Sequence, residues 1–192
     1  MAQLKYITKN APDSGYTKKY HDDNAIRDEI NYIFDVKHNG EKTDGYRYIG
    51  GWAADCAIAA YEMELLARLH HKWNGVRLRH WTITFEEWEL QTAAKRLPGL
   101  NRWQVLQQLA YEFAAYYAAQ YQVVFAVHWD HGAGHIHVAM NTVSYVDGLK
   151  FSGSKSEYYA YQDYAKGVAA RYGFHIYAVT DHAANKSVYR DE

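Results

Sequence analysis

Apolar residues recur along the chain at two periods, every second residue and every third to fourth, so strands and helices alternate. Leu4 to Thr8 alternates as a short strand, and the Pro12-Asp13-Ser14-Gly15 stretch after it reads as loop. Asp22-Asp23-Asn24 offers helix caps ahead of Ile26, Ile30 and Ile33 or Phe34, and His38-Asn39-Gly40 should end that helix. Glu41 to Gly51 reads as loop with a strand candidate at Tyr46 to Ile49. Asp55 to His71 is expected to be helical, with Leu65, Leu66 and Leu69 as its apolar residues. Arg77 to Phe85 alternates as a strand, Glu86 to Lys95 leans helical, and Leu100 to Tyr121 carries the stripe Leu106, Leu109, Phe113 and Tyr117.

Two strands follow in quick succession, Gln122 to Trp129 and Gly134 to Val143, with His131-Gly132-Ala133-Gly134 at the bend. Ser154 opens another helix through Tyr172, Gly173 stands where a C-cap belongs, and Phe174 to Val179 reads as a last strand. Hairpins mixed with helices predict an α+β fold, a central antiparallel sheet with packed helices. No linker, repeat or low-complexity run divides the 192 residues, so a single domain is expected.

Composition narrows the classes. One cysteine, Cys56, excludes an internal disulfide and a cysteine-based zinc site, and the expected compartment is a reducing cytoplasm. Apolar runs are too short for a membrane span, and Met1-Ala2-Gln3-Leu4-Lys5 lacks a signal-peptide layout. A formal charge of −1 gives no bulk basicity to announce a nucleic-acid partner, although a local basic patch would escape such a count. Nineteen tyrosines suit either an aromatic core or a wet surface on which bases stack.

The chemistry concentrates in one hairpin. On a strand His135 and His137 share a face, with Ile136 and Val138 opposite. In a register whose facing residue numbers sum to 263 or 265, His128 joins them. The sum 264 would bury His128 beside Val138 and Met140 and expel Val123, Phe125 and Val127, so the apolar pattern selects the odd register. Three neutral imidazoles with no fourth protein ligand describe an open, catalytic metal site. Asp130, on the His128 face, is placed to accept a ligand N–H. The competing reading is a set of surface histidines on a polar strand face. The Trp73 to Trp81 run, with His70, His71 and His80, could form another metal site, though solvated histidines explain it as well.

These residues resemble a family. His128-Trp129-Asp130, the His135-Ile136-His137 pair, Asn141-Thr142-Val143 and Asp147-Gly148-Leu149-Lys150-Phe151 look like the relaxases, the His-hydrophobe-His mobilisation nucleases of plasmids and conjugative elements. Ile30-Asn31-Tyr32-Ile33 followed by Glu41-Lys42-Thr43 is similar to the family's N-terminal segment, and the likeness covers roughly residues 22 to 180. Many relatives carry Asn and a further His where this chain has Ile136 and Ala133, a departure that leaves the three histidines intact.

The resemblance implies a relaxase fold and a single-strand DNA endonuclease and transesterase acting at an origin of transfer, with Mg²⁺ or Mn²⁺ as metal. Ligand softness alone also allows Zn²⁺, Ni²⁺ or Co²⁺. It implies accessory mobilisation proteins as partners, no membrane, and a catalytic domain that is the whole or the N-terminal part of a longer protein. The nucleophile it implies is Tyr32, with Asp130 assisting. Tyr164 is the runner-up, as in rolling-circle initiators or transposases where the tyrosine follows the histidines, and Tyr6, Tyr16 and Tyr20 remain open. Lys37 and Lys42 near the Tyr32 helix, and Lys150 and Lys155 after the histidine strand, are candidate phosphate contacts, with Arg77 and Arg79 comparable. A non-catalytic domain that binds single-stranded nucleic acid is the reading from another class.

Overall fold

In a computed structural model of the chain, residues 1–7, 20–97, 99–130 and 133–179 are described. The loop expected at 12–15, Tyr16, and the bend residues His131 and Gly132 lie outside them. The strands are β1 (Ala2–Ile7), β2 (Ile49–Trp52), β3 (Leu78–Phe85), β4 (Tyr121–Asp130), β5 (Ala133–Ser144) and β6 (Ile176–Val179). The helices are α1 (Ala25–Ile33), α2 (Ala59–Leu69), α3 (Glu87–Arg96), α4 (Arg102–Ala115) and α5 (Lys155–Arg171). The fold is α+β, as the alternating periods predict. No helix among the described residues is long and apolar enough to cross a membrane.

One sheet in the order β2-β4-β5-β3-β1-β6 carries two different faces. Val123, Phe125 and Val127 of β4, Ile136, Val138 and Met140 of β5, and Trp81, Ile83 and Phe85 of β3 are buried on one face with residues of α3, α4 and α5. Many of the tyrosines are used here. Tyr161 is fully buried and accepts from Trp81 Nε1 at 2.6 Å, and it packs against Tyr116, Tyr117 and Tyr164. The aromatic richness is thus divided between this core and the surface, where Tyr32, Tyr46, Tyr61, Tyr111, Tyr145 and Tyr159 are exposed.

The other face is covered only in part. Val124, Ala126, Ala139 and Leu78 pack under α1 and α2. Further across the same face, Thr82 and Thr84 of β3 pair with Lys5 and Gln3 of β1, and all four are at least partly exposed. An open polar floor thus adjoins the histidines.

Four expectations are corrected. The sheet is antiparallel throughout except at one edge, where β6 pairs parallel to β1 after α5 carries the chain back across the sheet. Helix α1 stops at Ile33 rather than near His38, because Asp35 turns left-handed (φ 56°) and its carboxylate accepts from the Lys42 N–H at 3.0 Å and pairs with His38 Nδ1 at 2.6 Å. Strand β2 begins at Ile49 rather than Tyr46, since Tyr46 sits at φ 64°. There Gly50 is required, as a Cβ would lie 2.3 Å from the Phe125 ring. Helix α2 buries Ala59, Met63 and Ala67 and leaves Leu65 and Leu69 exposed, so small residues set its close approach.

Candidate active site

The β4–β5 hairpin pairs His128 with His135, the register with sum 263, and aligns His137 with Ala126. The register needed to keep both apolar sets inside therefore also gathers three imidazoles on one face. One nitrogen from each of His128, His135 and His137 lies within 4.8 Å of the others. His128 and His137 are buried, and His135 is half-buried at the mouth.

The remaining ring nitrogens are held from behind. His128 Nε2 lies 2.5 Å from the Ile33 carbonyl at the end of α1, a contact that needs an N–H and leaves Nδ1 as the free base. His137 Nδ1 lies 2.9 Å from His80 Nε2, and His80 Nδ1 lies 2.8 Å from Glu29 Oε1 and 3.0 Å from Tyr20 OH. The Glu29 carboxylate favours the His80 proton on Nδ1 by its charge, which leaves His80 Nε2 to accept from His137 Nδ1. That tautomer turns His137 Nε2 into a lone-pair donor, and this buried atom has no hydrogen-bond partner. The residues fit a cation by their chemistry: an orphaned buried nitrogen, three neutral bases and, among the described residues, no fourth ligand.

Electrostatics agree. Burial, then the neighbouring His128, pushes His135 down to about 4, and burial with His80 and His128 holds His137 well below the usual histidine range. Burial also lowers His128 against the help of its Ile33 contact. Asp130 Oδ1 is 3.6 Å from His135 Nδ1, an ion-pair separation longer than a hydrogen bond, while Oδ2 is 3.3 Å from Lys42 Nζ.

Tyr32 stands beside this cluster. Its ring meets the His137 ring edge-on with centroids 5.6 Å apart, and the side chain is 56% exposed on the open face. Burial and then Glu29 raise its phenol pKa, and Lys42 opposes them. Tyr164 is elsewhere: its hydroxyl donates to the Glu112 carbonyl at 2.8 Å, among the aromatics of the opposite face. Tyr6 donates to the Tyr158 carbonyl on that same side, and Tyr20 is buried against His80.

The cationic candidates separate in the same way. Lys37 is exposed in the turn Val36–His38, close in sequence to Tyr32, and Lys42 is at the site. Lys150 is not near the histidines, contrary to expectation. It bridges Val143, six residues beyond His137 or about 20 Å along the strand, and its ammonium donates to the Lys72 and Asn74 carbonyls. Lys155 opens α5 on the opposite face, which corrects its placement too. Arg77 is committed to structure: it donates to the Trp73 and His21 carbonyls, both at 2.6 Å, and to Asp23 at 2.8 Å.

Of three further residues joined to the site, the sequence does not single out Glu29, while it groups His80 with His70 and His71 and leaves Tyr20 only as an open nucleophile candidate. Glu29 is a carboxylate on the buried stripe of α1, between Ile26 and Ile30, and that misplaced charge was the available signal. His80 forms no separate site with His70 and His71; the triad is the one such cluster among the described residues.

The family described as relaxase, MobA/VirD2-like, nuclease domain matches residues 32–174, beginning at Tyr32 and spanning the histidine hairpin. The chain belongs to this relaxase family. Neither curated proteins nor solved structures gave a match. In this relaxase the matched span also takes in β2 through α5, so the family likeness reaches the supporting sheet as well as the site.

Proposed function

We propose that this relaxase nicks one strand of single-stranded DNA at an origin of transfer through attack by Tyr32, with a divalent cation held by His128, His135 and His137. The observation that carries it is the Tyr32 ring lying 5.6 Å from the His137 ring at the edge of an open polar sheet face. Mg²⁺ or Mn²⁺ is the expected working metal, although three imidazoles also accept Zn²⁺, Ni²⁺ or Co²⁺. Bound there, the cation supplies charge stabilisation at the scissile phosphate.

The chain's own residues do the rest. The phenol oxygen forms a bond to phosphorus as it releases its proton to solvent, and the phosphorus–O3′ bond breaks. The departing 3′ oxygen takes up a proton, and the 5′ phosphate stays on Tyr32 for later rejoining. Burial and then Glu29, with a smaller effect from Asp130, hold the phenol above its ordinary range in the free protein, so positive charge gathering beside it favours the nucleophile. Lys42, held near by Asp130, is one such charge and a natural phosphate contact. Lys37 extends that edge, and the floor of Thr82, Thr84, Gln3 and Lys5 offers hydroxyls, an amide and an ammonium to the strand. Lys150 and Lys155 lie outside this track. Conjugative mobilisation in the cytoplasm, with accessory mobilisation proteins at the origin, is the process this activity serves.

The deciding experiment is a peptide map of the DNA-linked species formed with a single-stranded oligonucleotide and Mn²⁺. The adduct should map to Tyr32 and vanish in Tyr32→Phe, with folding and Mn²⁺ binding retained. Tyr164→Phe should still form it. An adduct on Tyr164 would make this an initiator-like nuclease, and DNA binding without any adduct would make it a non-catalytic binding domain.

A further inference from the structure

At the far end of the sheet, on the face opposite the histidines, Tyr116, Tyr117, Gln120, Tyr121, Phe151 and Glu157 line a cavity of about 330 Å³. Its position is set by sequence distance: Tyr121 opens β4, seven residues or about 23 Å from His128. The pocket therefore takes no part in the Tyr32 chemistry.

Three of its rings are nearly perpendicular to one another. Tyr117 and Phe151 meet at 84° with centroids 5.5 Å apart, Tyr121 and Phe151 at 84° and 5.7 Å, and Tyr117 and Tyr121 at 76° and 6.4 Å. These edge-to-face rings, with Tyr116 beside them, make the cavity wall largely aromatic. The electron-rich faces of such rings attract positive charge.

The fourth element is an anion. Burial disfavours ionisation of Glu157, but hydrogen bonds from the Ser152 hydroxyl at 2.7 Å and the Ser154 N–H at 2.6 Å outweigh it and hold the carboxyl below its ordinary range. Its charge follows burial in raising Tyr121, where Asp147 acts in the same sense, and adds a smaller effect on Tyr117 after burial, Tyr6, Tyr116 and Tyr158. Among the described residues no lysine or arginine lines the cavity itself, and the Arg79 guanidinium 5.9 Å from the Phe151 ring centroid is a cation that one of these rings already attracts.

We infer that this pocket is a binding site for an organic cation, an alkylammonium or guanidinium head group seated against Tyr117, Tyr121 and Phe151 with Glu157 as counter-charge. The head group belongs either to a free amine or to a basic side chain on a partner, and the two share one chemistry.

The test is a titration of the full chain followed by the ring resonances of Tyr121 and Phe151, with choline, agmatine and a blocked Gly-Arg-Gly peptide as probes. Saturable shifts are expected with the cations, and binding about fivefold weaker with 3,3-dimethyl-1-butanol, the neutral isostere of choline. Glu157→Gln should weaken the cations about fivefold and leave the alcohol unchanged. Because Glu157 also caps α5, Tyr121→Leu provides a second variant with the cap intact and the same expected loss. A peptide that binds tighter than agmatine identifies a partner's side chain, and the reverse identifies a free amine; both support the site. No saturable shift, equal binding of the alcohol, or indifference to both substitutions overturns it. Nicking is not the readout, so the result stands apart from the fate of the Tyr32 assignment.

Discussion

Acid should loosen the metal-free protein well before its carboxylates titrate. An unfolded histidine takes its proton near pH 6.5, whereas folded His135 resists until about 4 because burial and His128 oppose its charge. Between those values the unfolded chain holds the extra proton, so stability is full above pH 6.5 and falls as pH drops toward 4. At about 1.4 kcal/mol per unit, a shift from 6.5 to about 4 costs about 3 kcal/mol when complete. For a chain of this size that is a melting point lower by about 10 °C. His128 and His137 are depressed in the same direction, and the three protonations compete, so the cluster titrates as a unit. Carboxylates held low, such as Asp35 and Asp147, act only below about pH 4. The slope between pH 6.5 and 5 thus belongs to the imidazoles. Urea midpoints in EDTA across that window measure it, and His135→Gln should reduce it, leaving the part that His128 and His137 contribute. A flat wild-type profile would refute the burial of neutral imidazoles on which the metal assignment rests.

Glu29→Gln removes the carboxylate that favours these His80 and His137 tautomers, and Mn²⁺ affinity by calorimetry should fall about ten- to a hundredfold with the fold retained; an unchanged affinity would mean the Glu29–His80 chain is only packing. Lys42→Ala should weaken oligonucleotide binding and reduce the slope of log affinity against log salt by about 0.7, the single-strand value, while Lys150→Ala leaves that slope alone. Met63→Ala, in the fully buried contact of α2 with the sheet, should cost about 2–5 kcal/mol in urea unfolding, against about 0.5 kcal/mol or less for Leu69→Ala on the exposed side.

Much of the fold is legible because burial imposes simple periods. The alternation of Val123, Phe125 and Val127 against His128 leaves one hairpin register that keeps oil inside, and the molecule uses it. Ser154 and Asn101 cap their helices with side-chain oxygens, signals that are local and therefore readable. Helix α2 misleads because leucine count is a poor guide to the buried side; Ala59 and Ala67 are buried since they let backbones approach. Asp35 misleads because its side chain satisfies a backbone N–H seven residues on and ends α1 early, a contact no local pattern announces.

The sequence by itself determined the strands, the helices and the grouping of His128, His135 and His137, because each follows from keeping apolar side chains out of water within one hairpin. Only the tertiary structure decided what stands behind and beside those histidines. Glu29 and His80 are far apart in the chain, as are Tyr32 and His137, and they meet only because α1 packs across the sheet beside β3 and β5. The same packing sent Lys150 to the Lys72 and Asn74 carbonyls and Tyr164 to the opposite face. Sequence separation carries no record of such distances, since they are set by which helix covers which part of a sheet.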